Sequence, residues 1–324
     1  MLDGDYVIAG EETDFSLLSP LLSEHAKNHS IRLLRLASES CPSRAWWRTQ
    51  LCGAAAVLRV GSPQLGAKAA LPGVILRASD GRLVPAGWLP RETDRVAEYA
   101  FGAAFSIAER RASSHGPILL LAQREERALS LADELWELLK TDPPQCFRWT
   151  AERVIKQTLQ RSLGIGAAAA IYVGHGYAWG WAGYSGFSSA DIRAVEKPLG
   201  AVLSLCCDTF TRTGWMLSFS EELVLCRAAL SALGATHGTL NCRNRAFAAR
   251  ICRSLAESRA NTIGALLRDV YRNDAGRFLT HYRLCGDPLA PLTGTPDAAS
   301  RALQVPAPAP DDPPPPLSPD LWYG

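Results

Sequence analysis

The sequence lacks the features of membrane-spanning and secreted proteins. No uninterrupted apolar stretch approaches the ~18 residues that a membrane-spanning helix needs. The start of the chain, Met1-Leu2-Asp3-Gly4-Asp5-Tyr6, contains neither the basic region nor the apolar region of a secretory signal. These two absences predict a cytoplasmic protein without a membrane partner.

Charge and cysteine usage exclude further classes of protein. The formal net charge is only +2 and both signs are mixed along the chain, so nucleic acid is not an expected partner. The nine cysteines are scattered, and no C-x-x-C pair or His/Cys cluster with zinc spacing occurs. We therefore expect reduced thiols, no metal and no other cofactor.

Two catalytic or binding motifs are also absent. No Gly-x-Gly-x-x-Gly follows an early strand, which argues against a dinucleotide-binding protein. No Gly-x-Ser-x-Gly elbow occurs, which argues against a serine nucleophile on a strand-to-helix turn. The chemistry of this chain must therefore be sought in other residues.

Short apolar runs alternate with amphipathic segments along the chain. With 324 residues and 47% hydrophobic content, the chain can bury a sizeable core. The alternation predicts an α/β fold with a mostly parallel sheet covered on both faces. We expect a smaller N-terminal α/β subdomain (1–112), a main domain (113–295) and a Pro-rich tail (296–324) that builds no core. The pattern also predicts a helix over 220–233 and a strand over 238–242.

Two of the apolar runs end in reactive residues. Ala169–Val173 leads into Gly174-His175-Gly176, and Ala201–Leu205 leads into Cys206-Cys207-Asp208-Thr209. Buried parallel strands bring their carboxyl ends to one edge of a sheet, where open α/β folds place their sites. A histidine and a cysteine at that edge can act as an acid–base group and a thiolate nucleophile. The pattern therefore favours nucleophilic catalysis by cysteine.

Each of these residues also has a purely structural interpretation. His175 can be a turn histidine, and Cys206 and Cys207 can be inert core thiols, as buried cysteines commonly are. Their joint occurrence at two matching strand ends favours catalysis. Alternation along a strand sends the two cysteines to opposite faces, so only one of them can meet His175.

Five segments, in order along the chain, resemble the caspase-like (clan CD) cysteine peptidases, in particular the gingipain type and the related CHAT domains. They are Gly87-Trp88-Leu89-Pro90, Val173-Gly174-His175-Gly176, Ala190-Asp191-Ile192, Cys206-Cys207-Asp208-Thr209 and Leu284-Cys285-Gly286-Asp287-Pro288. The resemblance implies a three-layer α/β/α caspase-like fold and a cysteine endopeptidase that acts through a thioester. His175 would be the acid–base group and Cys207 the nucleophile, because this register also aligns the following acid and threonine. The competing register makes Cys206 the nucleophile.

The resemblance also implies how the transition state and the substrate are bound. The backbone N–H groups of Gly176 and Cys207 would bind the oxyanion. Glu125 and Glu126 are candidates for a pocket that takes Arg or Lys, although such a pair also fits the solvated start of a helix.

Four more residues are candidates for substrate contacts. Trp179, Trp181 and Tyr184 could form the wall of a cleft, or a loop packed over the sheet. Asp208, next to the predicted nucleophile, is the fourth candidate.

Two functions remain open at this stage. The first is an endopeptidase whose partners are a protein or peptide substrate and a regulatory protein. The second is a catalytically degenerate caspase-like module that binds a partner without cleaving it. Trp88 and Phe210 favour the second function, because they stand where the family pattern has arginine and glycine.

Overall fold

A computed structural model of the chain describes residues 2–113, 115–140, 146–257, 260–274 and 279–305. The part of the predicted tail that follows residue 305 lies outside these ranges. Within them, no helix is long and apolar enough to cross a membrane.

Strands and helices alternate through the described ranges. The strands are β1 (Asp5–Gly10), β2 (Ile31–Arg35), β3 (Ala54–Gly61), β4 (Ile75–Arg77), β5 (Leu83–Pro90), β6 (Ile118–Ala122), β7 (Cys146–Arg148), β8 (Ala169–Val173), β9 (Gly176–Tyr177), β10 (Gly180–Trp181), β11 (Phe187–Ser188), β12 (Leu199–Leu205), β13 (Ala229–Ala235) and β14 (Tyr282–Gly286). The helices are α1 (Glu12–Leu17), α2 (Ser19–His25), α3 (Arg44–Gln50), α4 (Gly66–Ala70), α5 (Thr93–Arg110), α6 (Glu126–Leu139), α7 (Lys156–Ser162), α8 (Gly183–Gly186), α9 (Phe219–Leu225), α10 (Asn241–Ala256), α11 (Ile263–Asp274) and α12 (Ala298–Leu303).

One large sheet organises the protein. Its strands lie in the order β2-β1-β3-β5-β14-β13-β12-β8-β6-β7, and β4 pairs with β5 outside this order. Neighbours along the order are parallel except β13 and β14. Helices pack against this sheet, among them α6 on β6, α9 on β13 and α11 on β5. The predicted α/β fold, with helices flanking a mostly parallel sheet, is confirmed.

Burial on both faces explains the continuous apolar runs of the central strands. Every residue of β8, β12 and β13 is buried. Strands of a parallel sheet that are covered by helices on both sides need apolar side chains at every position, and not at alternate positions.

Strand β5 joins the N-terminal part of the chain to the rest of the sheet. It pairs in parallel with β14, where Gly87 lies opposite Leu284. A Cβ atom at Gly87 would overlap the carbonyl oxygen of Gly286, so the close approach of these strands needs glycine there. Residues on both sides of the predicted boundary at 112 therefore share one sheet.

The predicted helix over 220–233 and strand over 238–242 are wrong. Helix α9 ends at Leu225, the chain reverses at Arg227 with φ of 59°, and β13 follows. Cys242 lies in the first turn of α10. An alanine-rich apolar run fits a helix and a buried strand equally well by periodicity, so only tertiary packing decides between them.

The predicted tail begins later than residue 296. Helix α12 lies within that segment and buries Ala298 and Ala302, which are one turn apart, against the protein.

The buried carboxylate of Asp287 ties the end of the sheet to the N-terminal elements. It accepts hydrogen bonds from the Tyr6 hydroxyl and the Leu289 N–H, each at 2.8 Å, and lies 2.7 Å from Nε2 of His25. Its own backbone N–H donates to the Tyr99 hydroxyl at 3.0 Å. Burial alone would raise the pKa of Asp287, but the charge of His25 and these hydrogen bonds hold it below its ordinary range.

We expect Asp287→Asn to lower the free energy of unfolding by about 3 kcal/mol near pH 7, because it breaks a buried charge pair. Because the pKa of Asp287 is lower in the folded protein than in the unfolded chain, its stabilising effect is complete above the ordinary carboxyl pKa. The effect is lost as pH falls through the lowered folded pKa. Urea unfolding from neutral pH to about pH 3 should show the difference from wild type shrinking with acid. A difference that is constant across this range would contradict the account.

Candidate active site

The parallel pairing of β8 with β12 brings the two reactive segments together. The register places Val173 opposite Leu205, the last residue of each strand. His175 and Cys207 each follow two residues later, so both lie at the carboxyl edge of adjacent strands. The sequence prediction that these two strand ends are neighbours is confirmed.

The backbone around His175 is held from several sides. Gly174 has φ of 150°, and a Cβ atom there would lie 2.7 Å from the Gln123 side chain. The His175 N–H donates to Oε1 of Gln123 at 2.8 Å, and its carbonyl accepts from the Tyr172 hydroxyl and the Ala182 N–H. The segment is therefore positioned independently of its side chain.

The imidazole of His175 is half exposed at the edge of the sheet. Its Nε2 lies 3.5 Å from Oε2 of Glu125, and 53% of the side chain is accessible. A carboxylate at this distance can orient the ring. Glu125 therefore faces His175 as well as the surface at the start of α6.

The two cysteines have opposite environments, as strand alternation predicts. Cys206 is fully buried, and burial raises the pKa of its thiol well above the ordinary range. Cys207 is partly exposed at the edge of the sheet. A buried, protonated thiol is a poor nucleophile, which favours Cys207 over Cys206 as the predicted nucleophile.

Thr239, two residues before α10, contacts the Cys207 sulfur. The Thr239 N–H donates to Sγ at 3.3 Å, and the Thr239 hydroxyl lies 3.6 Å from it. Asn244 donates to that hydroxyl at 2.7 Å and accepts from the Tyr282 hydroxyl at 2.9 Å. A backbone N–H aimed at the sulfur is a favourable neighbour for a thiolate.

The chain reverses sharply after Cys207. Asp208 has φ of 58°, a left-handed conformation that is uncommon for residues other than glycine. The Thr211 N–H donates to the Asp208 carbonyl at 2.7 Å, and the Thr211 hydroxyl donates to its carboxylate at 3.1 Å. The Asp208 side chain is therefore engaged within its own turn, and its contact with substrate stays a prediction.

Gly176 lies directly against the cysteine segment. A Cβ atom at this position would be 2.5 Å from the Cys206 sulfur and 2.6 Å from the Cys207 carbonyl oxygen. The absence of a side chain thus lets the backbone after His175 pack on the backbone of the predicted nucleophile.

A cleft of about 530 Å³ opens beside His175, between the starts of α6 and α10. Charged and polar side chains line it, including Glu125, Glu126, Arg127, His175, Asn241, Asn244 and Arg245. Arg245 pairs with Glu134 of α6. Glu125 and Glu126 lie at the start of α6 and also line the cleft. Their position therefore fits both the solvated start of a helix and a pocket for a basic side chain. Within the described ranges, no group of His, Cys, Asp and Glu side chains could hold a metal ion.

The prediction that Trp181 contacts substrate is wrong. Its side chain is 1% exposed and packs against Tyr172, Phe187 and Phe219. Its indole N–H donates to the Ser204 hydroxyl at 3.0 Å. No face of this ring is left for a ligand.

Tyr184 and Trp179 have different environments. Tyr184 is 3% exposed and donates to the carbonyl of Trp149, so it belongs to the core. Trp179 is 51% exposed and stacks on Tyr177 at 5.5 Å between ring centroids. Of the predicted aromatic contacts, only Trp179 remains available to a ligand.

The two departures from the family pattern are accommodated in the core. Trp88 is fully buried and donates to Oε1 of Glu221 at 3.0 Å, while Arg212 contacts both carboxylate oxygens at 2.8 and 2.6 Å. Phe210 is 6% exposed, and its N–H donates to the Ala235 carbonyl. Both residues therefore have a structural role in the core.

Sequence reasoning missed several residues that position the site. Gln123 and Thr239 contact the reactive segments, and Asn244 contacts Thr239. Gln123 directly follows β6, Thr239 lies just before α10, and Asn244 lies in its first turn. No motif in the sequence marks these residues.

The comparisons with known proteins support a caspase-like cysteine peptidase. Residues 133–293 match the model of peptidase family C25. This match, over just under half of the chain, supports a cysteine peptidase of the gingipain type.

Solved structures show the same fold. The Arg-specific cysteine proteinase gingipain R (RgpB) matches with a TM-score of 0.68 and 12% identity, over 90% of this chain and 78% of that one. The complex of the Porphyromonas gingivalis RgpB pro- and mature domains matches with a TM-score of 0.68 and 13% identity, over 90% of this chain and 80% of that one. No curated protein matches the sequence significantly.

We expect Gly176→Ala to lower kcat/KM for peptide cleavage about a hundredfold, because a shift of ~1 Å in a reacting group has this effect. The added Cβ would displace the His175 or the Cys207 segment. Gly238→Ala is the matched control, since a Cβ at Gly238 meets no atom within 4 Å. Circular dichroism should show both variants folded, and equal activity of the two variants would contradict the packing argument.

Proposed function

We propose that this chain cleaves peptide bonds with Cys207 as nucleophile and His175 as the acid–base group. The Cys207 thiolate attacks the carbonyl carbon, the C–N bond breaks, and the leaving amine takes a proton from the His175 imidazolium. The acyl group stays on Cys207 as a thioester. Water then attacks the thioester, gives a proton to the imidazole, and the acid leaves with the thiolate restored.

The observation that carries this proposal is the placement of His175 and Cys207 two residues beyond the register pair Val173 and Leu205. The burial of Cys206 supports it, because that thiol has no access to a substrate. The Thr239 N–H, 3.3 Å from the Cys207 sulfur, is also suited to a sulfur that carries negative charge during the reaction.

We further propose that the backbone N–H groups of Gly176 and Cys207 bind the oxyanion. The close packing of Gly176 on the Cys207 backbone supports this assignment. Donors held by the backbone need no reorganisation when charge develops on the carbonyl oxygen, which is the source of their effect.

The cleft beside His175 is the proposed site for a basic side chain next to the cleaved bond. Glu126 is the better candidate for binding that side chain, because Glu125 already pairs with His175. Gingipain R, which has the same fold, is described as Arg-specific. A carboxylate in a partly enclosed cleft is suited to a guanidinium or an ammonium group.

We also propose a cellular compartment and a regulatory partner for this protein. The nine cysteines are all free, which supports a reducing compartment such as the cytoplasm. The RgpB complex of pro- and mature domains supports a regulatory protein or segment as a second partner, beside the substrate. The likeness to CHAT domains rests on the motifs alone.

We expect Cys207→Ala to lower peptidase activity at least about a thousandfold, because the nucleophile is lost. Cys206→Ala should keep the activity and lose only packing, at a cost of about 1 kcal/mol in stability. Initial rates on a mixed peptide library, together with urea unfolding, measure both effects. Full activity of Cys207→Ala with loss in Cys206→Ala would reverse the assignment.

We expect Glu126→Gln to lower the preference for a basic over an uncharged residue before the cleaved bond about tenfold, the effect of losing ~1.4 kcal/mol. Rates on paired peptides that differ only in Arg or Gln at that position give the ratio. Glu137→Gln is the matched control, because Glu137 lies on the same helix and pairs with Lys140 away from the cleft. An unchanged ratio in Glu126→Gln would exclude this residue from recognition.

A further inference from the structure

Three large apolar side chains are exposed on the two loops that follow His175 and Cys207. They are Trp179 (51% exposed), Trp215 (89%) and Met216 (64%), and we call them the apolar rim. Single exposed apolar residues are common on proteins, but several of them beside one site indicate a surface that binds a ligand.

The rim belongs to two loops that are attached to each other. Trp179 lies in the turn between β9 and β10, directly after the His175 segment. Trp215 and Met216 lie in the loop that follows Cys207 and leads to α9. The Phe219 N–H donates to the Ala178 carbonyl at 2.8 Å, which joins the second loop to the first.

An ion pair and backbone hydrogen bonds hold the base of the loop that carries Trp215. Arg212 is paired with the buried Glu221 at 2.6 Å, and the Ser220 N–H donates to the Thr209 carbonyl at 2.9 Å. The Met216 N–H donates to the Thr213 carbonyl at 3.3 Å. The two exposed side chains therefore project from a loop whose base is held in place, which lowers the entropy lost on binding.

The loop that carries Trp215 and the cleft beside His175 line two separate cavities. The cleft is lined by residues that follow β6 and β8, by Leu205 and by the start of α10, which packs on α6. A second cavity, of about 1040 Å³, is lined by Phe210, Thr211 and Trp215, which follow Cys207, together with residues that follow β3, β5 and β13. In the strand order, β3 and β5 lie on one side of β12, while β8 and β6 lie on the other.

We propose that the apolar rim binds a large apolar side chain of the substrate within the two residues that follow the cleaved bond. The proposal rests on the proposed function. A polypeptide with its basic side chain in the cleft and its carbonyl at Cys207 continues past the sulfur toward the second cavity, which the loop after Cys207 lines. Its residues beyond the cleaved bond then reach Trp215 and Met216. The preferred substrates therefore combine a basic residue before the bond with an aromatic or aliphatic residue after it.

Internally quenched peptides test this inference. Arg is kept before the cleaved bond, and either of the next two positions carries Phe, Leu or Ser. Wild type should cleave the best Phe or Leu peptide with kcat/KM at least about tenfold above the Ser peptide. Trp215→Ala and Met216→Ala should each reduce that ratio severalfold, mainly by raising KM while kcat changes little. Trp179→Ala should act in the same direction.

Phe101→Ala is the matched control, because Phe101 is 69% exposed on α5 and lies outside both loops. It should leave the ratio unchanged. Equal cleavage of the Phe and Ser peptides by wild type would overturn the proposal. The proposal would also be overturned if the preference for Phe or Leu persists in Trp215→Ala and Trp179→Ala. A preference that concerns only residues before the cleaved bond would overturn it as well.

Binding to the inactive protein separates this inference from the proposed mechanism. Fluorescence anisotropy of labelled Phe and Ser peptides with Cys207→Ala measures recognition without cleavage. If wild type cleaves none of the peptides but Cys207→Ala binds the Phe peptide more tightly, the proposed function fails and the rim stands. If wild type cleaves both peptides equally and Cys207→Ala binds them equally, the function stands and the rim proposal fails.

Discussion

The in-register parallel pairing of β8 with β12 is the constraint on which the site depends. It places Val173 opposite Leu205, so the residues that follow the two strands meet at one edge although they are far apart in the chain. Both strands are buried throughout, and a slip of one residue would turn every side chain of a strand to the other face. The hydrophobic core of the sheet therefore determines which histidine and which cysteine come together.

The same alternation gives two adjacent thiols different chemistry. Cys206 continues the buried side of β12, and burial raises the pKa of its thiol, whereas Cys207 reaches the edge beside polar groups of Thr239. A buried carboxylate supports the loop that follows Cys207. Trp88 and Arg212 both donate to Glu221, which joins this loop to β5.

The strands and the fold class could be predicted from the sequence because they depend on local patterns of apolar residues. The buried strands ending at His175 and Cys207, and the α/β class, could be inferred because apolar runs and their abrupt ends are visible in the sequence. The strand Ala229–Ala235 was predicted as helix, since its alanine-rich run has no distinctive period. The burial of Trp181 and the roles of Gln123 and Asn244 could not be inferred, because they depend on contacts between elements distant in the chain.

The central claim is that Cys207, and not Cys206, forms the covalent intermediate with His175 as its partner. The most direct measurement is tandem mass spectrometry of the wild-type protein after reaction with a peptidyl electrophile that carries a basic residue, because fragment ions distinguish the two adjacent cysteines. The account predicts one adduct, on Cys207, that forms much more slowly in His175→Ala. An adduct on Cys206, or labelling of Cys207 that is equally fast without His175, would contradict it.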